Sequence, residues 1–325
     1  VKIVGKERAS MDMEDIVPYG RDPLTRVSKL YNADYVVLPE TTDEVQRIVK
    51  VANEYRVPVV PYGAGTARSV LASARTGGIE MVMRRMDKIL KINEETMTAT
   101  IEPGVTWSKL FYEAAKFGLR PFGLGGGPNT GTPVGCFMFG GGNTGGMDMN
   151  ETVGIEVVLP SGELLRTGSA AYMGHEEINP YCRVAWGPNV TGIIRGSLGI
   201  YGIVTKLIRR LSPIREIEEH IQVGFDNLSN CIAGMKELVK LGICRQVVGI
   251  DGAQAAIIAA EPPEITTMPE KYAEFEDSLP AYLVMAGISC HNEAQAKVYR
   301  ELIQEAGAKG YGTVGEFSGD TKGNL

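Results

Sequence analysis

The residues most able to do chemistry lie in Val57-Pro-Val-Val-Pro-Tyr-Gly-Ala-Gly-Thr-Ala-Arg-Ser69. An apolar run ends in a polar turn that carries Gly63 and Gly65. Glycine admits positive φ and lets the backbone approach an anion, so successive N–H groups can converge on a phosphate. A Rossmann fingerprint would add a third glycine and pass directly into an apolar-faced helix. Here Arg68 stands where that glycine would be, and Leu71 to Gly78 has no helical period. The helix precedes the strand instead. Between Thr42 and Tyr55, Val45, Ile48, Val49 and Ala52 recur at helical spacing, with Thr41 or Thr42 as N-cap and acids in the first turn. A phosphate cradle is expected at the turn, and an NAD site of the Rossmann kind is not.

A second unusual stretch runs from Gly118 to Gly146 and contains twelve glycines. It has no collagen period and is not of low complexity. One reading is a surface loop. The other is a backbone wall against a flat cofactor, where side chains would block the approach; the embedded Val134, Phe137, Met138 and Phe139 can anchor such a wall in a core.

The elements that must position these turns follow from periodicity. Residues 33 to 83 read β-α-β-loop-β. A strand is expected at Thr98 to Glu102 and a helix at Thr106 to Phe117, with Thr106 as N-cap and Gly118 as its stop. A hairpin is expected around Ser161-Gly162, and a strand from Gly202 to Ile208. Beyond Pro213, strands at Ile217 to Phe225, Gln246 to Asp251 and Tyr282 to Ser289 alternate with helices at Leu228 to Leu241 and Asn292 to Ala306. Cys231, Met235, Leu238 and Val239 are expected to face inward on the first of those helices. The division expected is an arm (1–30), a first domain (31–213) and a second (214–325).

Composition excludes several classes. The 325 residues are 44% apolar and 22% charged, enough for a sizeable core, with a net charge of −6. Nucleic-acid binders usually present a basic face, so a nucleic-acid partner is not expected. No apolar run approaches the ~20 residues that span a bilayer. Cys136, Cys182, Cys231, Cys244 and Cys290 are scattered without a C-x-x-C, and His175, His220 and His291 share no short spacing. Neither a disulfide framework nor a metal site is expected, and the cytoplasm is the expected compartment.

The order of these segments resembles the FAD-binding domain of the vanillyl-alcohol oxidase/p-cresol methylhydroxylase superfamily, which includes glycolate and D-lactate dehydrogenases. The resemblance rests on Ala33 to Pro39, Asp43-Glu-Val45, Pro61 to Thr66, Arg85 to Asn93, Ala99 to Leu110, Ile155 to Gly168 and Arg195 to Lys206, and covers roughly residues 30 to 213. It implies an α+β fold: a two-subdomain FAD-binding domain of the p-cresol methylhydroxylase type, then part of a ferredoxin-like cap. It also implies FAD at Tyr62, Gly63, Ala64, Gly65, Thr66, Ala67 and Ser69 in the first loop. Further contacts are implied at Pro128, Thr130, Thr132, Gly135, Asn143, Thr144 and Gly146 in the glycine-rich segment, and at the backbone of Gly202, Ile203 and Val204. Cys136 departs from the family glycine at its position. A first-loop covalent tether is not expected, because Thr66 stands where some relatives carry histidine.

The activity implied is hydride transfer from a C–H bond to the flavin N5. The substrate is a 2-hydroxy acid such as glycolate or D-lactate, or a 4-substituted phenol. Trp186 to Gly192 resembles the phenol-oxidising branch and Arg195 to Gly199 the hydroxy-acid branch, so both stay open. Arg68, Tyr62, Tyr201 and Asp148 are candidates near the flavin, each balanced by an ordinary structural role, and no residue is assigned as catalytic base. Electrons are expected to pass to a protein carrier or quinone. The chain starts with valine and is shorter than its family, so it is expected to lack part of the C-terminal substrate domain or to receive it from a partner, as an oligomer or complex subunit. The alternative is a flavin-binding or structural subunit whose substrate site lies on another chain.

Overall fold

The computed structural model describes residues 1–21, 31–66, 72–121, 129–140, 151–171, 187–259, 279–309 and 313–314. The chain divides into two compact units, with the boundary between Ile214 and Arg215.

In the first unit, the N-terminal residues do more than lie on the surface: β1 (Ala9–Ser10) pairs antiparallel with β2 (Tyr35–Val37). A short helix, α1 (Met13–Ile16), follows β1. The long helix α2 (Thr42–Tyr55) leads to β3 (Val59–Tyr62), and β4 (Ile79–Val82) inserts between β2 and β3 with parallel pairing on both sides. Thr41, not Thr42, caps α2, its hydroxyl accepting from the Glu44 N–H at 3.2 Å. The helix ends at Arg56 in the left-handed conformation. Its apolar stripe packs with Met81 and Met83 into a core that also holds Val158 and Ile203.

Alternation along β4 sends Glu80 and Val82 to the other face, among Ile16, Ala33, Val36, Tyr62 and Ala74. Glu80 is only 1% exposed, and burial pushes its carboxyl up to about 8, the Ala74 N–H offsetting part of the shift. The folded state therefore keeps a proton that the unfolded chain has released by neutral pH. Stability contributed this way is full below the ordinary carboxylate range and is lost as pH rises toward about 8. Replacing Glu80 with methionine should stabilise the protein by a few kcal/mol near pH 9, with the gain shrinking toward about pH 5, as urea melts at the two pH values would show.

The second sheet of this unit is antiparallel. Its strands are β5 (Ile89–Asn93), β6 (Thr98–Ile101), β7 (Leu119–Pro121), β8 (Thr152–Val158), β9 (Leu164–Arg166) and β10 (Ile203–Pro213). The order is β5-β6-β10-β8-β9, with β7 also on β10. Helix α3 (Trp107–Ala115), capped by Thr106, buries Leu110 and Ala114 over this sheet. Helix α4 (Pro133–Phe139) lies in the glycine-rich segment, where the sequence suggested a loop or an extended wall; Val134 and Phe137 join the same core. A further short helix is α5 (Val190–Ile194). On β8, Glu156 is buried with Arg166 and Lys206 at 3.0 and 3.3 Å. Burial alone would raise its pKa, but the two cations outweigh it and hold the carboxyl below the usual range.

The second unit holds β11 (Ile217–Phe225), α6 (Leu228–Lys240), β12 (Gln246–Asp251), α7 (Gly252–Ala259), β13 (Tyr282–Cys290), α8 (Glu293–Lys309) and β14 (Thr313–Val314). Every pairing is antiparallel and the order is β12-β13-β11-β14, with α6 and α8 sharing one core. This is the ferredoxin-like arrangement expected. Val239 is a correction: it is 55% exposed. The buried stripe of α6 runs Cys231, Gly234 and Leu238, with Met235 packed beside it, and Val239 falls a helical step (100°) beyond Leu238.

Candidate functional site

The first glycine turn leaves the end of β3 and is shaped by what lies beneath it. Gly65 has φ +69°, and a Cβ there would run into the Tyr62 hydroxyl. Tyr62 itself is buried, its ring edge-on to Tyr19 with centroids 5.3 Å apart. Its side chain is an internal prop, and only its backbone remains for a ligand. Gly63, Ala64, Gly65 and Thr66 are partly exposed.

The second predicted segment abuts the first. A Cβ on Gly63 would sit 3.3 Å from the Thr132 Oγ1. Thr132 caps α4, accepting from the Gly135 N–H at 3.0 Å, and Pro133 occupies the first turn. Gly135 and Thr130 are exposed, whereas the Thr132 side chain is buried. The start of α3 fixes the approach to this cap: the Trp107 N–H donates to the Gly131 carbonyl at 3.0 Å and the Ser108 N–H to that of Asn129 at 3.1 Å.

The third segment closes on both. Gly140, left-handed at the end of α4, touches Gly196: a Cβ on Gly140 would be 2.8 Å from the Gly196 Cα. The Gly196 and Leu198 N–H groups donate to the Phe137 and Met138 carbonyls. Gly199 packs on Pro61 of β3, where an added Cβ would lie 2.8 Å from Cγ. At Gly202, φ +150°, a Cβ would meet the Val158 carbonyl oxygen at 2.6 Å. Ile203 and Val204 are buried in the core, so this stretch offers backbone, not side chains.

The fold thus brings Gly63 to Thr66, Thr132 to Gly135 and Gly199 to Val204 together from three distant parts of the sequence. The predicted Ala67, Ser69, Pro128, Asn143, Thr144 and Gly146 lie outside the described residues, as do Arg68 and Asp148. Tyr201 is 52% exposed and Ile200 is 72% exposed, so an apolar surface borders Gly202.

Three features escaped the sequence reading: the Tyr62 prop, the buried Glu80 behind the turn, and Ser197. The Ser197 Oγ is buried and has no hydrogen-bond partner. Strand alternation from Val82 was the available signal for Glu80; nothing in the sequence singles out Ser197. Among the described residues, no group of three or more His, Cys, Asp or Glu is placed to hold a metal.

Close glycine contacts, positive φ and backbone-only walls leave main-chain groups of three segments exposed beside one another, in an arrangement outside the Rossmann type. Residues 33–168 match the family described as an FAD binding domain. The cofactor is FAD. The glycolate oxidase subunit GlcD of Bacillus subtilis is 30% identical over 218 residues, covering 63% of this chain and 43% of that protein. The mitochondrial D-lactate dehydrogenase (cytochrome) of Arabidopsis thaliana is 28% identical over 262 residues, covering 79% of this chain and 43% of that protein. A crystal structure of p-cresol methylhydroxylase with substrate bound superimposes with TM-score 0.79 at 22% identity, covering 99% of this chain and 66% of that one. The chain therefore spans less than half the length of these two curated relatives.

FAD suits the site on structural grounds. Main chain at Gly63 to Thr66 and at Gly135 is partly or fully exposed and open to a diphosphate, and the exposed Ile200 and Tyr201 give an apolar border that suits an aromatic ring system.

Proposed function

We propose that this chain supplies the flavin-binding part of an FAD-dependent dehydrogenase or oxidase that removes a hydride from an alcohol-type or benzylic C–H. The carrying observation is the convergence of the Gly63–Gly65, Thr132–Gly135 and Gly199–Gly202 segments in one unit. FAD bound there would supply the acceptor for the hydride, which carries both electrons. The chain's own part is to bind and orient. Backbone groups of residues 62 to 66 and 132 to 135 would take the diphosphate, and the main chain of Gly202, Ile203 and Val204 would flank the adenine end; Thr130 and, outside the described residues, Ala67, Ser69, Pro128, Asn143, Thr144 and Gly146 are the further FAD contacts proposed from the sequence.

A 2-hydroxy acid is the substrate class we favour, because both sequence relatives carry hydroxy-acid names, glycolate and D-lactate. A 4-substituted phenol is the second, favoured by the fold likeness over nearly the whole chain. The domain division proposed is an arm (1–30), an FAD-binding domain (31–213) and a cap (214–325). The cytoplasm is the proposed compartment, in keeping with cysteines that are scattered along the sequence without a C-x-x-C pair. No helix among the described residues is long and apolar enough to cross a membrane. Electrons pass on to a protein carrier or quinone, in an oligomer or larger complex.

A subunit with its substrate site on another chain is the competing reading, and the relative named as a subunit supports it. Anaerobic mixing of the flavin-loaded protein with glycolate, D-lactate or 4-alkylphenols separates the two. Rapid bleaching by one class supports the enzyme and names its substrate; flavin that stays oxidised with every donor favours the subunit.

A further inference from the structure

Glu80 is buried in mid-sheet, and among the described residues no cation pairs with it. It lies in register with Val36 on β2 and Val60 on β3, facing an apolar cluster of Ile16, Ala33, Val36, Tyr62, Ala74 and Val82. Its Oε1 has no hydrogen-bond partner, and the carboxyl accepts from the Ala74 N–H. The same sheet face carries the Tyr62 hydroxyl under Gly65. Tyr62, beneath the first glycine turn, and Ala74, held by Glu80, therefore share this face.

We propose that Glu80 is a positioning residue for the first glycine turn, and that the turn keeps its FAD-binding shape only while this carboxyl carries its proton. The proposal rests on FAD as the ligand of that turn. Protonated, Glu80 brings no charge into the cluster and keeps the Ala74 contact. Ionised, it would be a charge in an apolar setting with one N–H for solvation, so it must move toward water and take Ala74 with it. Its negative charge would also oppose a diphosphate across a medium of low dielectric. Burial places this change near pH 8.

The other titratable groups facing the cluster are the phenols of Tyr19 and Tyr62, packed edge-on with ring centroids 5.3 Å apart. Asp34, at the start of β2, is occupied in accepting from the Gly78 N–H at 2.7 Å, and Arg75 lies over the Tyr31 ring at 5.6 Å.

The test is a titration of flavin-stripped protein with FAD, followed by flavin fluorescence, from about pH 6 to about pH 9, for the wild type and Glu80→Gln. Wild-type Kd should be flat at the acid end and weaken by up to about tenfold per pH unit above about 8. Glu80→Gln, always neutral and of the same shape, should bind within about threefold of wild type at the acid end and stay flat. Calorimetry of the wild type in two buffers of different ionisation enthalpy gives a second reading that needs no variant: FAD binding at the alkaline end should take up a proton. Parallel pH profiles for the two proteins, or binding without proton uptake, would overturn the proposal. If neither protein binds FAD at any pH, the FAD assignment itself fails and carries the proposal with it.

Discussion

Gly65→Val is expected to strip the flavin from the protein while leaving most of the fold in place. At φ +69° a β-branched residue is strained by about 1–3 kcal/mol. The new Cβ would also fall on the Tyr62 hydroxyl, and the burial of Tyr62 with its ring edge-on to Tyr19 opposes its moving aside. The turn must therefore lift, and its N–H groups lose their convergence. The turn lies partly exposed at the end of β3, so the cores of both sheets should survive. The flavin-to-protein ratio after desalting should fall to near zero, with a modest drop in Tm, and Gly65→Ala should be intermediate. A valine variant that purifies with stoichiometric flavin would rule out the cradle.

The largest loss of stability is expected at Trp107. This residue opens α3, is 1% exposed, and has the Arg209 guanidinium 4.8 Å from its ring centroid, itself 2% exposed. Trp107→Ala should leave a cavity costing about 3–5 kcal/mol. It also removes the aromatic face from a buried cation, worth up to about 2 kcal/mol more. At roughly 2–4 °C per kcal/mol for a unit of this size, Tm should fall by about 10–20 °C. Flavin affinity should fall as well, because the first turn of α3 anchors Asn129 and Gly131, immediately before the Thr132 cap. Trp107→Phe should cost far less, since the indole Nε1 has no hydrogen-bond partner to lose. Thermal melts with and without FAD check both variants; a change below about 1 kcal/mol for alanine would mean the helix is not anchored there.

Much of this architecture was legible because several signals agreed locally. Helix α2 has a cap, acids in its first turn and an unbroken apolar stripe. The strands of the ferredoxin-like unit have clean boundaries, and β11 and β12 begin and end where expected. Helix α4 was not legible because its glycine-rich surroundings suggested extended chain. Its signals were present nonetheless: a Thr132-Pro133 start, Val134, Phe137 and Met138 at helical spacing, and Gly140 as stop. Glu80 was hidden for a different reason. A carboxylate in a strand ordinarily marks a solvent face; alternation from Val82 was the one contrary signal, and the insertion of β4 between two parallel neighbours makes the burial plain. Of the candidate site, the glycines were visible as conformational requirements. The Tyr62 prop and the contacts Gly63–Thr132, Pro61–Gly199 and Gly140–Gly196 depend on tertiary approach that no spacing encodes.

Backbone hydrogen exchange with and without FAD tests the cradle most directly. If main-chain groups of three converging segments hold the cofactor, FAD should slow exchange at Gly63 to Thr66, Thr132 to Gly135 and Gly199 to Gly202, with little change in the β11 to β14 sheet. Saturation with FAD that leaves these three segments unprotected, or that protects only other parts of the chain, would contradict the site described.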